Sequence, residues 1–206
     1  MSSFATTPLT RVRRAAERAD YQQATVEAIL DAGWVCQVAF SVDGQPHCLP
    51  TAHWRVGDTL YIHGSNGSRM MRALAEGTPA CVNVTLLDGL VLARSAFNHS
   101  MNYRSAMLYG SFRKVEDAAE KWASFEAFMD KVEAGRRALV RMPDANEFAA
   151  TSVLALTIRE AVAKQRSGPP EDDVADLGLP VWAGVWPLET RFGTPIPDPA
   201  TASCPA

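Results

Sequence analysis

The sequence is poor in cysteine, carries no net positive charge, and has no apolar run of membrane-spanning length. Cys36, Cys48, Cys81 and Cys204 show no Cys-x-x-Cys spacing, which argues against a disulfide framework or a thiolate metal site. The first three stand in apolar, strand-like runs and are expected as buried free thiols; Cys204 lies in a Pro/Ala/Ser tail. The formal net charge of -3 excludes the broad basic surface that a nucleic-acid partner requires. No stretch approaches the roughly 20 apolar residues of a membrane span, and the N-terminus lacks the positive-then-apolar order of a signal peptide. A soluble, cytoplasmic protein without nucleic-acid or membrane partners is therefore expected. His47, His53, His63 and His99 are not at metal-ligand spacing, so no metal site is expected. A Gly-Lys-Ser/Thr phosphate loop and a Gly-x-Ser-x-Gly nucleophile elbow are also missing.

What is present suits one domain. A chain of 206 residues with 47% hydrophobic and 21% charged residues can fill a core. No composition shift demands a second domain, so residues 1–206 are read as one, with an N-terminal helical extension (1–33) and a Pro-rich tail (188–206). The stretch from Tyr61 to Leu74 organises the rest. Thr59 to His63 reads as a strand, Gly64, Asn66 and Gly67 as a turn, and Ser68 as the N-cap of a short helix with Met70, Met71, Ala73 and Leu74 on its buried side. Such a junction offers unpaired amides at the positive end of a helix, and Arg69 adds a full charge. The same residues also suit an ordinary strand-to-helix turn with a surface arginine.

Asp20 and Gln23 predict a capping box for a helix over 21–32, closed by Gly33. Hairpins are expected at Asp43-Gly44 and at Gly57-Asp58, and a third at Asp88-Gly89 between strands 80–87 and 90–96. Phe97 to Ser105 reads as a polar, aromatic connector ahead of a strand over 106–115, and such loops concentrate ligand contacts. Asp117 caps a helix over 118–134 whose stripe of Trp122, Phe125, Phe128, Met129 and Val132 reads as core. A short helical turn over 146–150 and a final strand over 152–158 follow, for six or seven strands in all. Lys164 to Asp173 reads as a loop.

The Tyr-Ile-His-Gly-Ser-Asn-Gly-Ser-Arg run resembles the phosphate-binding segment of the pyridoxamine 5'-phosphate oxidase-like FMN-binding split barrels. Met70 stands where those oxidases often carry lysine. Together with Leu-Leu-Asp-Gly-Leu-Val-Leu-Ala-Arg-Ser (86–95), the chain from Trp34 to Pro187 is similar to a flavin-nucleotide-binding subgroup. The resemblance implies a mainly β fold with flanking helices, a split β-barrel of the FMN-binding type. It implies FMN as cofactor, with Leu49, Pro50 and Thr51 at the ring edge. His63, Gly64, Ser65, Ser68 and Arg69 fall on the phosphate or ribityl chain, and Lys164, Arg166 and Trp182 on a wall supplied by a second copy in a homodimer. An oxidoreductase acting on a small molecule follows, with NAD(P)H as a candidate electron donor and His99 and Arg104 as candidate catalytic groups near the flavin. A non-catalytic flavin store and a haem-binding split barrel, with a histidine on iron, are the rival readings.

Overall fold

The computed structural model describes residues 2–201; Cys204 lies outside them. The elements in chain order are β1 (Ala19–Asp20), α1 (Gln23–Ala32), β2 (Val35–Val42), β3 (Gln45–Val56), β4 (Thr59–Ser65), α2 (Arg69–Ala75), β5 (Pro79–Leu92), β6 (Ser100–Ser111), β7 (Arg113–Lys114), α3 (Ala118–Val132), α4 (Ala145–Ala150), β8 (Thr151–Thr157), β9 (Glu160–Arg166) and β10 (Gly184–Pro187). They fall into two compact units, Met1–Leu86 with Tyr103–Arg166 and Leu87–Asn102 with Ser167–Ala206.

The first unit is a split β-barrel. Its strands are ordered β1-β9-β6-β5-β2-β3-β4-β8-β7. The β2–β3 turn is placed by chemistry: Asp43 and Gly44 both take positive φ, 51° and 76°, the geometry a two-residue primed turn demands. Alternation then sorts the side chains. Cys36, Val38 and Phe40 of β2 and Leu60 and Ile62 of β4 point into one core with Val26, Ile29 and Leu30 of α1 and Met70, Met71 and Leu74 of α2. Trp54, Tyr61, Val115, Val153 and Ala155 face the other way and meet Phe125 of α3, with Phe128 and Phe148 packed at the margin. β4 is therefore buried on both faces, and truncating Trp54, which is 1% exposed, is expected to cost roughly 3–5 kcal/mol.

α3 starts where the sequence says, with the Asp117 carboxylate accepting from the Glu120 amide at 2.7 Å. α4 carries a full capping box between Asp144 and Glu147. α1 begins later than expected, because β1 holds Ala19 and Asp20 extended against Lys164 and Ala163. No capping box forms there: Asp20 accepts from the Gln22 amide and the Thr25 hydroxyl, and Gln23 donates to Glu27.

Other expectations need correction. The third hairpin is absent. β5 runs straight through Asp88-Gly89, because β10 pairs alongside it, Gly89 opposite Pro187. A Cβ on Gly89 would lie 3.0 Å from the Trp186 carbonyl oxygen, so this glycine serves close strand approach instead of a turn. The polar connector shrinks as well, since Asn102, Tyr103, Arg104 and Ser105 lie within β6. Lys164 and Arg166 lie in β9, not in a loop, opposite Ser105 and Tyr103 of β6. Cys48 is exposed while Cys36 is buried, because residues 45–50 of β3 lack cover on both faces.

In the second unit β10 pairs with the distal half of β5. Asp172 accepts from the Arg94 amide at 2.7 Å and from its guanidinium at 2.8 Å. Trp182 and Trp186 stack with centroids 6.2 Å apart.

Candidate functional site

The opening in the barrel is made where two strands part. β4 pairs with β3 only from His53 to Val56, while β2 stays paired with β3 from Gln45 to Ala52. On its other side the backbone of 47–51 has no strand partner among the described residues. Leu49, Pro50 and Thr51 thus present an unpaired strand edge, whose amides and carbonyls seek hydrogen bonds. Across the opening β4 continues along β8, with His63, Gly64 and Ser65 opposite Val153, Ser152 and Thr151, and then turns into α2.

That turn is built from its own polar groups. Gly67 donates to the Ser65 hydroxyl at 3.2 Å, Ser68 to the Ser65 carbonyl at 2.9 Å, and Arg72 to the Ser68 carbonyl at 3.0 Å. The Ser68 hydroxyl caps Met71. Asn66 is pinned by donating to the Ala149 carbonyl at 2.8 Å and accepting from the Ser152 hydroxyl at 2.6 Å. The amides of Arg69 and Met70 have no hydrogen-bond partner among the described residues, and the Arg69 side chain is exposed. Gly64 lets α2 close on β4: a Cβ there would sit 2.9 Å from Met71 Cγ. Leu49 to Thr51 and Ser65 to Arg69 both lie beyond the point where β3 and β4 part.

His63 stands apart from that group. It shares strand parity with Tyr61 and turns toward α3, its ring 5.5 Å from Trp54 and 5.1 Å from Phe128. With Phe125, Met129, Val140 and Met142 it lines a cavity of about 330 Å³. Its Nδ1 is buried with no hydrogen-bond partner. Burial lowers its pKa below the ordinary 6.5, so the ring stays neutral, with a lone pair available to an electrophile or metal. Arg141 and Glu147 stand in the same wall as a bidentate ion pair, both bonds 2.8 Å. The hydrogen-bonded guanidinium holds the Glu147 carboxyl down at about 2.

The stripe of α3 is core only in part: Phe125 is buried, Phe128 and Met129 line the cavity beside it, and Val132, expected in the core, is 47% exposed. Sequence reasoning missed Val140, Arg141, Met142 and Glu147; the one local sign was an apolar Val-Arg-Met-Pro run in a connector. The remaining candidates are scattered. Lys164 is half-buried and donates to the Arg14 carbonyl at 3.0 Å, and Arg166 is buried. Trp182 belongs to the second unit, 59% exposed. His99, whose Nδ1 lies 2.8 Å from the Ser95 carbonyl, and Arg104 fall in different units. A cleft of about 640 Å³ around Phe40, Cys81, Tyr109 and Glu160 contains none of the expected site residues.

The family model described as pyridoxamine 5'-phosphate oxidase matches residues 22–165. The chain belongs to this family. Among solved structures, the flavocytochrome Anf3 from Azotobacter vinelandii is 41% identical with a TM-score of 0.92, covering 98% of this chain and 95% of its own. An FAD and haem binding protein from Mycobacterium smegmatis is also 41% identical, with a TM-score of 0.86, covering 90% of this chain and 91% of its own. No curated protein matches the chain. This member of the pyridoxamine 5'-phosphate oxidase family has a strand-turn-helix after β3 and, behind β4, a cavity with a histidine in its wall.

Proposed function

We propose that the protein is an oxidoreductase that carries a flavin nucleotide at the barrel opening and a haem in the His63 cavity. The observation that carries the reading is His63: a neutral imidazole with an unpartnered buried nitrogen, set among Phe125, Phe128, Met129 and Met142. An apolar wall with one imidazole suits a flat apolar ring. His63 would ligate the iron, and Arg141, which is held by Glu147, would have to exchange that carboxylate to meet a propionate. Haem supplies one-electron chemistry when bound.

For the flavin, the unpaired edge at Leu49 to Thr51 offers hydrogen bonds to the ring, and the Arg69–Met70 amides with the Arg69 guanidinium offer a phosphate site. FMN and FAD present the same ring and first phosphate to these residues. The name of the Mycobacterium smegmatis protein supports FAD and haem together, and that of the Azotobacter protein supports a flavocytochrome. The dinucleotide is accordingly the form we favour over FMN. A small-molecule acceptor and an NAD(P)H donor complete the reading. A second copy covers the apolar side chains of Trp34, Val35 and Leu49, which are 42%, 47% and 37% exposed.

The test is the absorption spectrum of the purified protein and of its His63→Ala variant. Flavin bands with a Soret band are expected in the first, and flavin bands alone in the second. A Soret band of equal intensity in the variant after haemin reconstitution would remove His63 from the iron.

A further inference from the structure

The rings behind the His63 cavity form a line that leads away from it. Trp54 of β3 stands opposite Tyr61 of β4 in the ladder, and their rings stack with centroids 6.0 Å apart and planes 14° from parallel. The same indole lies 5.5 Å from the His63 ring and 4.9 Å from Phe128, two residues of the cavity wall. At the far end the Tyr61 hydroxyl donates to Glu120 Oε1 at 3.0 Å, and that carboxylate is held by the Arg113 guanidinium. Trp54 and Tyr61 are buried, while the side chains of Glu120 and Arg113 reach solvent, so the line runs from the cavity to the surface. A second line of rings leaves the cavity through Phe125 and Phe148 to Trp122, but phenylalanine does not give up an electron under conditions that oxidise tryptophan and tyrosine.

Packing alone accounts for rings in contact, but not for how the two polar atoms of this pair are treated. Trp54 Nε1 is buried with no hydrogen-bond partner among the described residues, which costs stability. An indole oxidised there finds no acceptor for its N–H proton, keeps it, and stays a strong oxidant. The neighbouring phenol does have an acceptor. Burial first, and then the bond to Glu120, push Tyr61 up to about 12, so its proton stays until its electron leaves. We propose that Trp54 and Tyr61 form a one-electron relay between the His63 cavity and the surface at Glu120. The relay rests on the haem reading above, with a peroxide as oxidant. Reducing hydrogen peroxide to two waters breaks the O–O bond and takes up two electrons and two protons. Each electron leaves Trp54; Tyr61 refills it and passes its phenolic proton to Glu120. An external one-electron reductant such as ascorbate then restores Tyr61, whose proton returns from Glu120. The two protons that enter water come from solvent and are matched by one released from each ascorbate.

The experiment uses haem-reconstituted wild type, the same protein grown on ring-deuterated tyrosine, and the Tyr61→Phe and Trp54→Phe variants. Each is mixed with an equivalent of hydrogen peroxide, frozen and read by electron paramagnetic resonance. The wild type is expected to show a tyrosyl radical, whose hyperfine splitting collapses on ring deuteration and whose signal vanishes when ascorbate is added before freezing. Tyr61→Phe removes only a hydroxyl and is expected to lose that signal and show a tryptophanyl one in its place. Trp54→Phe keeps a ring in the stack and is expected to lose the tyrosyl signal although Tyr61 is still present. Both variants are expected to keep the wild-type Soret band, so that loss of the radical is not loss of haem; where Trp54→Phe fails to take up haem, Tyr61→Phe alone decides. A tyrosyl signal at wild-type intensity in either variant, or none in a wild type that carries haem, overturns the relay and leaves the haem reading standing. A wild type that takes up no haem overturns the haem reading, and the relay with it.

Discussion

Acid should weaken this fold through its buried histidines, His53 above all, before it reaches the carboxylates. His53 is 1% exposed, and its Nε2 lies 2.9 Å from the Leu30 carbonyl at the end of α1. That contact makes Nε2 the protonated nitrogen and leaves Nδ1, which is buried with no partner, as the site where a second proton would have to go. Burial first, and then the Lys131 ammonium, push His53 from the ordinary 6.5 down to about 4. A base whose folded pKa is depressed contributes stability above its unfolded pKa. That contribution is lost as pH falls, because the unfolded chain takes up the proton first. The window runs from 6.5 to about 4, and at 1.36 kcal/mol per unit the whole effect is about 3 kcal/mol. Urea unfolding at about pH 7.5 and about pH 4.5 should therefore differ by about 2.5 kcal/mol from this residue alone. A His53→Asn variant, less stable at neutral pH, should lose that component of the pH dependence. Equal pH dependence in the two proteins would refute the reasoning, as would an imidazole that titrates near 6.5 by NMR in the folded state.

Three further outcomes are expected. Arg69→Ala should weaken FMN by roughly 1.5–3 kcal/mol while leaving riboflavin nearly unchanged, since only the nucleotide presents a phosphate to the guanidinium; equal losses in a titration would take Arg69 off the phosphate. Gly89→Ala should lower the thermal midpoint by an amount equivalent to about 1–3 kcal/mol, because the added Cβ meets the backbone oxygen of Trp186 at 3.0 Å with no flexible end to give way. In solution the chain should scatter light as a two-fold dimer, and a mass of 22.4 kDa at all concentrations would contradict the covering of Trp34, Val35 and Leu49 by a second copy.

Most of the meander was legible because its turns carry their own chemistry. Asp43-Gly44 and Gly57 supply positive φ within the turn itself, so local sequence and final structure agree. The same dipeptide misled at Asp88-Gly89, where pairing with β10 keeps the chain extended. A turn signal there is outweighed by a ladder formed with residues nearly a hundred positions away. β9 was missed for a different reason. Its buried residues, Ala161, Val162 and Ala163, are mostly too small to give an apolar period, and the Lys-Gln-Arg that follows looks solvated. In the structure those cations close a strand that β6 and β1 pair on either side.

The site divides along the same line. The Ser68 cap and the Arg69 charge depend on a turn of six or seven residues, and such a feature can be read locally. The His63 cavity cannot, because its wall is assembled from β4, from α3 and from the connector around Arg141. Parity was the available signal: His63 follows Tyr61 by two, so it faces wherever Tyr61 faces, and Tyr61 packs with Trp54 under α3. On the proposed reading this matters for electron flow. At about 3.3 Å per residue, His63 stands only about 10 Å along the chain from Asn66 in the turn. One strand buried on both faces would then hold a haem ligand behind it and a flavin phosphate site at its tip. The distance between the two groups would be fixed by a backbone that β8 pairs along its whole length, with little dependence on any mobile loop.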